Sequence, residues 1–357
     1  MTSLFVGSNF FGAGNFGDDL SLTGFLSFAA RYGDVEITIC TPHDIESQQR
    51  RFPRIQWLRD SESAREGALR SADVWLGLGG TPFQLDSGPW LLEHNERERR
   101  RRVALGKPMY FLGVGCESPE AAADPRSQAL LAAAEHVWTR DESSAAQLQP
   151  FIAPSRLTAA ADLAHLAFPS TASQQSYEPG VLGLLLASER PEQFDVVELE
   201  RFLERRPPHS TRWLVQEVRP LPHLERWILG ELSSQARSVL SVAEIDYTTC
   251  SMQAYLRAFG RPGTTVTSRY HGALVAAWHR SKVLVVSRSA KLRGIAEQLD
   301  LPQIAYVRSH SELEEALQTA AIVPRERLEL VREKAREMCD TFFAEIFGLA
   351  ARAEASA

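Results

Sequence analysis

Short apolar segments alternate along the chain with longer segments in which apolar residues recur at helical spacing. In the first half, the apolar runs of strand length are nearly continuous: SLFVGS (3–8), VEITIC (35–40), DVWLGLG (73–79), PMYFLGVG (108–115) and HVWTR (136–140). Such runs are typical of parallel strands that helices cover on both faces. Because helical stretches separate them, among them 20–33, an arginine-rich run and 127–135, this half predicts a parallel α/β sheet.

The same alternation begins again after a polar segment, PSTASQQSYEPG (169–180), which has proline near both ends and predicts a linker. The later strand candidates are VLGLLLAS (181–188), RWLVQEV (212–218), TTVTS (264–268), KVLVVS (282–287) and IAYV (304–307). The tail from 324 to 354 predicts one long helix or two.

This restart predicts an α/β fold with two Rossmann-like domains and a central cleft between them. The predicted N-terminal domain spans 1–170 and the predicted C-terminal domain spans 181–325. A terminal helix at 326–357 is expected to pack back on the first domain.

Composition is that of a globular protein, because 44% of the 357 residues are hydrophobic and 24% are charged. This length favours two domains. The net charge of −6 argues against a nucleic-acid-binding surface, but it is compatible with a local basic site for a small anion.

The four cysteines are far apart and form no CxxC pair, so neither a zinc site nor a dense disulfide framework is expected. The N-terminus lacks the basic segment and apolar core of a signal peptide, and no apolar run reaches the ~18 residues of a membrane-spanning helix. A reducing cytoplasm is the simplest setting for such a chain. Nothing in the sequence indicates an oligomeric state.

The first chemistry-bearing stretch, FFGAGNFGDDLSLTGFL (10–26), follows a predicted strand and begins a predicted helix. Its GAGNFG segment matches the GxGxxG pattern of dinucleotide sites. However, Asp18 and Asp19 follow at the helix end where a pyrophosphate would sit, and their charge would repel it. Either one of these carboxylates caps the helix, or the loop binds a hydroxyl-rich ligand such as a sugar, with one carboxylate as general base.

Two further strand ends carry candidate residues. In LGLGGTPFQLDSGPW (76–90), Gly80 either makes a plain tight turn or lets the backbone approach a ligand closely. In EHVWTRDESSAAQL (135–148), a strand carries Arg140 to its carboxyl end, and Asp141 then begins a helix. Arg140 either binds a carboxylate or phosphate through two N–H groups or pairs with Asp141 at the surface.

The segment TTVTSRYHGALVAAWH (264–279) places Ser268, Arg269 and His271 between a predicted strand and an apolar helix. The carboxyl end of a parallel strand and the N-terminus of the next helix together form an anion site. Lys291 follows the next predicted strand, at the same edge of the domain. A lone histidine is usually structural, and that alternative stays open, but the cluster of arginine, tyrosine and histidine favours a functional site.

Taken in order, these segments resemble the polysaccharide pyruvyl transferase family. The resemblance covers most of the chain, from GAGNFGDD through GLGG, WTRDESS and AADLAH to SRYHGALVAA and the KLRG segment at 291–294. The SRYHGA segment with the downstream lysine is its most specific part.

The resemblance implies the two-domain glycosyltransferase B architecture. It implies phosphoenolpyruvate as donor and co-substrate, and a cyclic pyruvate ketal as the group formed on two hydroxyls of a sugar or lipid-linked glycan. It implies no further cofactor and no metal. The catalytic residues expected from it are His271, as acid or phosphate-activating cation, and Asp18. The expected donor ligands are Arg140, Arg269, Lys291 and Ser268, and the expected acceptor ligands are Gly14, Asn15, Asp19 and Gly80.

The arginine-rich run EHNERERRRRVALGKP (93–108) is relevant to whether the protein associates with a membrane. A basic helix favours an anionic membrane surface, which predicts peripheral association with the inner face of the membrane. The alternative is a solvated helix whose glutamates pair with its arginines.

Three other function classes remain to be distinguished. A glycosyltransferase of the same architecture with a nucleotide-sugar donor would also use cations in the second domain. A non-catalytic sugar-binding relative would have no reason to keep Arg140, His271 and Lys291. An NAD-dependent enzyme is disfavoured because Cys40-Thr41-Pro42 stands where the ribose-binding acid is expected.

Overall fold

The computed structural model describes residues 2–7, 11, 15–33, 35–86, 88–168, 177–187, 195–216, 224–244, 251–287, 289–305 and 307–356. The chain divides into two compact units. The first unit comprises Met1–Ala13, Asp18–Phe168 and Leu330–Ala357, and the second unit comprises Gly14–Gly17 and Pro169–Glu329.

The described part of the first unit contains a parallel sheet of seven strands. The strands are β1 (Thr2–Val6), β2 (Val35–Thr41), β3 (Ile55–Arg59), β4 (Val74–Leu78), β5 (Met109–Val114), β6 (His136–Thr139) and β7 (Leu157–Ala159). Their order in the sheet is β3-β2-β1-β4-β5-β6-β7. The direction of strand addition reverses between β1 and β4, and ligands of open α/β sheets bind at the carboxyl ends of strands near such a switch point.

The helices that alternate with these strands are α1 (Phe16–Ala29), α2 (Ile45–Arg51), α3 (Glu62–Ser71), α4 (Trp90–Ala104), α5 (Pro119–Ala123), α6 (Pro125–Ala133) and α7 (Glu142–Leu148). Several begin at a polar cap, since the side chains of Asp44, Ser61 and Ser118 accept from backbone N–H groups of the first turn. The helices cover apolar strands such as β4 and β5, whose residues are buried throughout. This explains why the strand sequences are continuously apolar.

The second unit contains a second parallel sheet, of six strands in its described part. The strands are β8 (Glu178–Leu185), β9 (Thr211–Val215), β10 (Leu240–Glu244), β11 (Pro262–Thr267), β12 (Lys282–Val286) and β13 (Gln303–Ile304), in the order β10-β9-β8-β11-β12-β13. The helices are α8 (Val196–Glu204), α9 (Glu225–Glu231), α10 (Ser234–Ser238), α11 (Met252–Phe259), α12 (Tyr270–Trp278), α13 (Ala290–Leu299) and α14 (His310–Thr319).

The last helix, α15 (Arg325–Ser356), is continuous and carries aromatic residues into the core of the first unit. Phe343 stacks on Tyr32 with ring centroids 4.3 Å apart, and Phe342 meets Tyr110 edge-on at 5.5 Å. The Tyr32 hydroxyl donates to Asp340 Oδ1 at 2.8 Å. Because Phe342 and Phe343 are wholly buried, α15 supplies part of the hydrophobic core of this unit.

The two parallel sheets confirm the predicted α/β fold with two Rossmann-like halves. Three strands that the sequence did not predict, β3, β7 and β10, each lie at an edge of their sheet. An edge strand has a neighbour on one side only and needs fewer apolar residues. In β3, exposed Gln56 lies between buried Ile55 and Trp57, and the strand ends at exposed Arg59, so no continuous apolar run marks it.

The predicted linker is wrong at its last residues, 178–180, which begin β8. The Glu178 N–H donates to the carbonyl of Arg261 at 3.0 Å, and Arg212 holds the Glu178 carboxylate at 2.7 and 3.0 Å. These contacts extend the strand through Pro179 and Gly180, a pair for which the sequence predicted a loop. Residues 169–176 lie outside the described part of the chain, and the domain limits at 170, 181 and 325 stay predictions.

Four of the five arginines of α4, Arg99 to Arg102, have partners within the first unit. Arg99 and Arg100 pair with Glu96 at 2.5 and 2.9 Å. Arg102 is buried and donates to the carbonyl oxygens of Leu69 and Ala72 at 2.6 and 2.8 Å, and burial lowers its pKa to about 10. This pairing matches the alternative of a helix with internal ion pairs. Membrane association stays a prediction, and among the described residues no helix is both long and apolar enough to cross a bilayer.

Candidate functional site

Arg140 lies at the carboxyl ends of β4, β5 and β6 in the first unit. Its Nε donates to Asp141 Oδ2 and its Nη1 donates to the carbonyl oxygen of Gly80, each at 3.3 Å. A Cβ atom at position 115 would lie 2.6 Å from Arg140 Cζ, so glycine there makes room for the guanidinium. The side chains of Arg140 and Asp141 are 3% and 5% exposed, so their pair is buried rather than a surface arrangement.

Asp18, on α1, lies beside the same glycine turn. The φ angle of Gly80 is 66°, a conformation that favours glycine. A Cβ atom at position 80 would lie 3.9 Å from Asp18 Oδ1, and the aspartate is half-buried. The structure therefore brings three predicted site residues, Asp18, Gly80 and Arg140, to one edge of the first sheet.

Asp19 and Asn15 have structural contacts that the sequence did not reveal. The side chain of Asp19 is wholly buried and pairs with Arg51 of α2, with Nη2 and Oδ2 2.6 Å apart. Asn15 Oδ1 accepts from the N–H of Gly17 at 3.0 Å and so caps the start of α1, whereas Asp18 and Asp19 lie inside the helix. Gly14, the remaining predicted acceptor ligand, lies outside the described residues.

Asp162, from the AADLAH segment, supports this edge of the first unit. Its Oδ1 accepts from Ser21 Oγ at 3.0 Å and from the N–H of Ala164 at 2.8 Å, and the residue is wholly buried. Ser21 lies on α1, and a Cβ atom at position 79 would lie 3.2 Å from Ser21 Cβ. Asp162 therefore helps to hold α1 close to the glycine turn.

In the second unit, Ser268 joins the carboxyl ends of two neighbouring strands, β8 and β11. Its Oγ donates to the carbonyl of Ala187 at 2.6 Å and accepts from the Ala187 N–H at 2.7 Å. The Thr267 hydroxyl accepts from the N–H of Arg269 at 3.0 Å and donates to its carbonyl at 3.2 Å. These bonds hold the turn that leads from β11 into α12.

Arg269 forms a two-pronged ion pair with Glu225, the first residue of α9. Its Nε and Nη2 donate to the two carboxylate oxygens at 2.7 and 2.9 Å. Glu225 is wholly buried, while 16% of the Arg269 side chain stays exposed. The sequence does not mark Glu225, because an acid at the start of a helix has many equivalents along the chain and no motif distinguishes this one.

His271 is the second residue of α12 and is buried. Its imidazole lies so close to Gly17 that a Cβ atom at position 17 would overlap the ring. Tyr270 meets the imidazole edge-on, with ring centroids 5.0 Å apart. Gly17 belongs to the short 14–17 segment of the second unit, in which Phe16 also stacks on Tyr255 at 3.9 Å.

Lys291 is the second residue of α13 and is half-buried. Because β11 and β12 are neighbours, α12 and α13 start at the same edge of the second sheet. The predicted donor ligands Ser268, Arg269 and Lys291 thus share this edge with His271, whereas Arg140 belongs to the first unit. Convergence of Arg140 with these residues on one donor stays a prediction.

Among the residues that the structure describes, no group of three or more histidine, cysteine or acidic side chains is placed to hold a metal ion.

Several solved structures share the fold. A Listeria monocytogenes protein assigned as a UDP-N-acetylglucosamine 2-epimerase has 12% identity and a TM-score of 0.62, over 97% of this chain and 95% of that chain. UDP-GlcNAc 2-epimerase from Neisseria meningitidis, bound to UDP-GlcNAc, has 10% identity and a TM-score of 0.58, over 97% and 99%. Anabaena HepE, in complex with UDP and glucose, has 10% identity and a TM-score of 0.55, over 100% of both chains. At such identities the likeness concerns the fold alone, which is the glycosyltransferase B architecture.

The fold alone does not identify the family of this chain, whereas its sequence does. No curated protein matches the sequence significantly. The family model described as polysaccharide pyruvyl transferase, however, matches residues 15–289. That range contains Asp18, Gly80, Arg140 and His271 and most of the 357 residues. This chain therefore belongs to the polysaccharide pyruvyl transferase family.

Proposed function

We propose that the protein transfers the pyruvyl group of phosphoenolpyruvate to two hydroxyls of a sugar, in a polysaccharide, a glycolipid or a related glycan precursor. The observation that supports this most is the family match over residues 15–289, which spans the edge of the second sheet where Arg269 and His271 lie. A donor with a carboxylate and a phosphate requires cations for both groups. Lys291, just beyond the match, starts the next helix at that edge.

The chemistry accounts for the residue types. A proton adds to the methylene carbon of the enol phosphate. This carbon becomes a methyl group, and its neighbour becomes an oxocarbenium carbon. One sugar hydroxyl attacks this carbon and loses its proton. The carbon–oxygen bond to phosphate then breaks, and the second hydroxyl closes the ring and loses its proton. One hydroxyl proton balances the proton added to carbon, the other leaves with inorganic phosphate, and the scheme uses no metal or further cofactor.

In the second unit, we assign His271 as the acid or as the cation that activates the phosphate. It lies at the N-terminus of α12, where backbone N–H groups favour an anion. Arg269 and Lys291 would bind the anionic groups of the donor.

In the first unit, we assign Asp18 as the base that accepts a proton from the sugar hydroxyl. It is half-buried beside Gly80, whereas the Asp19 carboxylate is wholly buried against Arg51. Asp19 would then act by supporting α1 rather than by touching the sugar. Arg140, held by Gly80 and Asp141, would supply the remaining cation for the donor.

A direct test is phosphate release from phosphoenolpyruvate by the purified protein in the presence of a panel of free and lipid-linked sugars. Release that requires both phosphoenolpyruvate and a sugar, with a pyruvate ketal detected on the product by mass spectrometry, is the expected result. Release without a ketal would indicate hydrolysis, and absence of both with every sugar would count against the proposal.

The second candidate is a glycosyltransferase with a nucleotide-sugar donor. It is favoured by one observation, which is that the fold neighbours from Neisseria and Anabaena are complexes with UDP-GlcNAc and with UDP and glucose. Thermal shifts separate the two candidates, because phosphoenolpyruvate is expected to raise the Tm and UDP- and GDP-sugars are not. The opposite pattern would support the glycosyltransferase.

Gly17→Ala is expected to lower the turnover of phosphoenolpyruvate by about 10²-fold, the scale on which a catalytic group misplaced by ~1 Å loses activity. The added methyl group would overlap the His271 imidazole and push it from its place. Gly67→Ala on α3 is the control, since a Cβ atom there meets nothing within 4 Å. Steady-state kinetics of both variants measure the effect, and equal turnover in the two would contradict the placement of His271 against Gly17.

A further inference from the structure

The ion pair between Glu225 and Arg269 hides the anion and leaves part of the cation exposed. The carboxylate of Glu225 is 0% exposed, whereas 16% of the Arg269 side chain is exposed. A buried carboxylate is costly unless a charged partner and hydrogen bonds compensate it. The position of the Arg269 guanidinium is therefore imposed by a group that does not itself reach the solvent.

Both ends of this pair are fixed through their backbones. The carbonyl oxygen of Glu225 accepts from Trp213 Nε1 at 3.2 Å, and Trp213 is wholly buried in β9. Arg269 is held at its N–H and its carbonyl by the Thr267 hydroxyl. With two fixed backbones and two parallel N–H···O bonds, the guanidinium plane has little freedom to rotate.

A second ion pair in the same unit, between Glu178 and Arg212, provides a comparison for the pair between Glu225 and Arg269. Glu178 and Arg212 also form two bonds, at 3.0 and 2.7 Å, but they lie where β8 and β9 begin, at the opposite edge of the sheet from His271. Their side chains are 29% and 21% exposed, so water screens the pair. The Glu225–Arg269 pair differs in its buried acid and in its place beside α12.

We propose that Glu225 is a positioning residue for donor binding, which holds the Arg269 guanidinium in the orientation that receives an anionic group of the donor. It also offsets part of the positive charge of Arg269, so that this arginine acts as a directional ligand rather than as a mobile cation. The inference rests on the proposed function, because it takes the donor to be phosphoenolpyruvate.

The test compares Glu225→Gln with the control Glu178→Gln. Glu225→Gln keeps the shape but turns an N–H group of the amide towards the guanidinium, so the Kd and KM for phosphoenolpyruvate are expected to rise about 10-fold or more, the usual coupling of a buried pair. The kcat is expected to change far less, because the proton donor is intact. Glu178→Gln is expected to leave Kd, KM and kcat at wild-type values. Calorimetric titration gives Kd, and phosphate release gives KM and kcat.

Two further variants separate positioning from folding. Glu225→Asp keeps the charge and the fold but draws the carboxylate back by one methylene, and it too is expected to raise Kd with a Tm near that of the wild type. In an Arg269→Gln background, Glu225→Gln is expected to add no further loss of donor affinity, because Glu225 acts through Arg269.

The outcomes distinguish the inference from the function on which it rests. If the wild-type protein does not bind phosphoenolpyruvate, both are wrong. If the wild type binds it and Glu225→Asp matches the wild type in Kd and KM, the positioning role alone is wrong. An equal loss from Glu225→Gln with and without Arg269 would also overturn it, because the acid would then act by another route.

Discussion

His271→Gln is expected to lower phosphate release by about 10²–10⁴-fold, the usual contribution of a positioned acid–base group, while the protein stays folded. Glutamine fills similar space and can still form a hydrogen bond at the start of α12. Donor binding is expected to weaken only modestly, since Arg269 and Lys291 remain. Measuring Tm and phosphate release on the same preparation tests both parts.

A matched control lies at the other end of the same helix. His279 is buried, its Nδ1 is 2.6 Å from the carbonyl oxygen of Gly260, and burial lowers its pKa to about 4. His279→Gln is therefore expected to lower Tm and to leave turnover per folded molecule unchanged. If His271→Gln behaved in this way instead, with a lower Tm and normal turnover, His271 would be a structural residue and the catalytic assignment would be wrong.

Phe343→Ala is expected to reduce the free energy of unfolding of the first unit by about 3–5 kcal/mol, as removal of a buried aromatic ring usually does. The ring is wholly buried and stacks on Tyr32 at 4.3 Å and on Phe25 at 5.9 Å. Its loss leaves a cavity between α15 and α1 that neighbouring rings cannot fill without leaving their own contacts.

Hydrogen exchange in rising urea measures this effect separately for peptides from α1 and from β11. The α1 peptides are expected to lose protection at lower urea than in the wild type, and the β11 peptides are not. Leu330→Ala is the control on the same helix, because Leu330 is 62% exposed and an exposed substitution changes stability by at most ~0.5 kcal/mol. Unchanged α1 protection in Phe343→Ala would show that α15 is dispensable to the first unit.

All the strands that the sequence predicted, except β13, lie between two neighbours in their sheets, and those that it missed lie at sheet edges. In β4 and β5 every residue is buried, so the apolar run is visible without any knowledge of neighbours. In β7, none of the three residues is fully buried, and pairing with β6 alone defines the strand. The limit is physical, because hydrophobicity reports burial and an edge strand is only partly buried.

For the candidate site, the sequence predicted where the residues lie but not which partners they have. The positions of Arg269, His271 and Lys291 follow from local sequence, since they lie after a predicted strand, just before the following helix or in its first turn. The partners of the site residues do not follow from local sequence. Glu225 is 44 residues from Arg269, and Arg51 is 32 residues from Asp19, and no spacing rule connects such pairs.

The sequence by itself determined the parallel α/β class, the two successive sheets and the strand ends that carry the candidate chemistry, because these depend on periodicity and motifs within a few residues. Only the tertiary structure decided which of these side chains are occupied by buried partners, as Asp19 is by Arg51 and Arg269 is by Glu225. For α15, which the sequence predicted to pack back on the first domain, it decided which aromatic side chains enter the core of the first unit. Contacts of this kind depend on which surfaces the folded chain brings together, and local hydrophobic patterns do not encode that pairing.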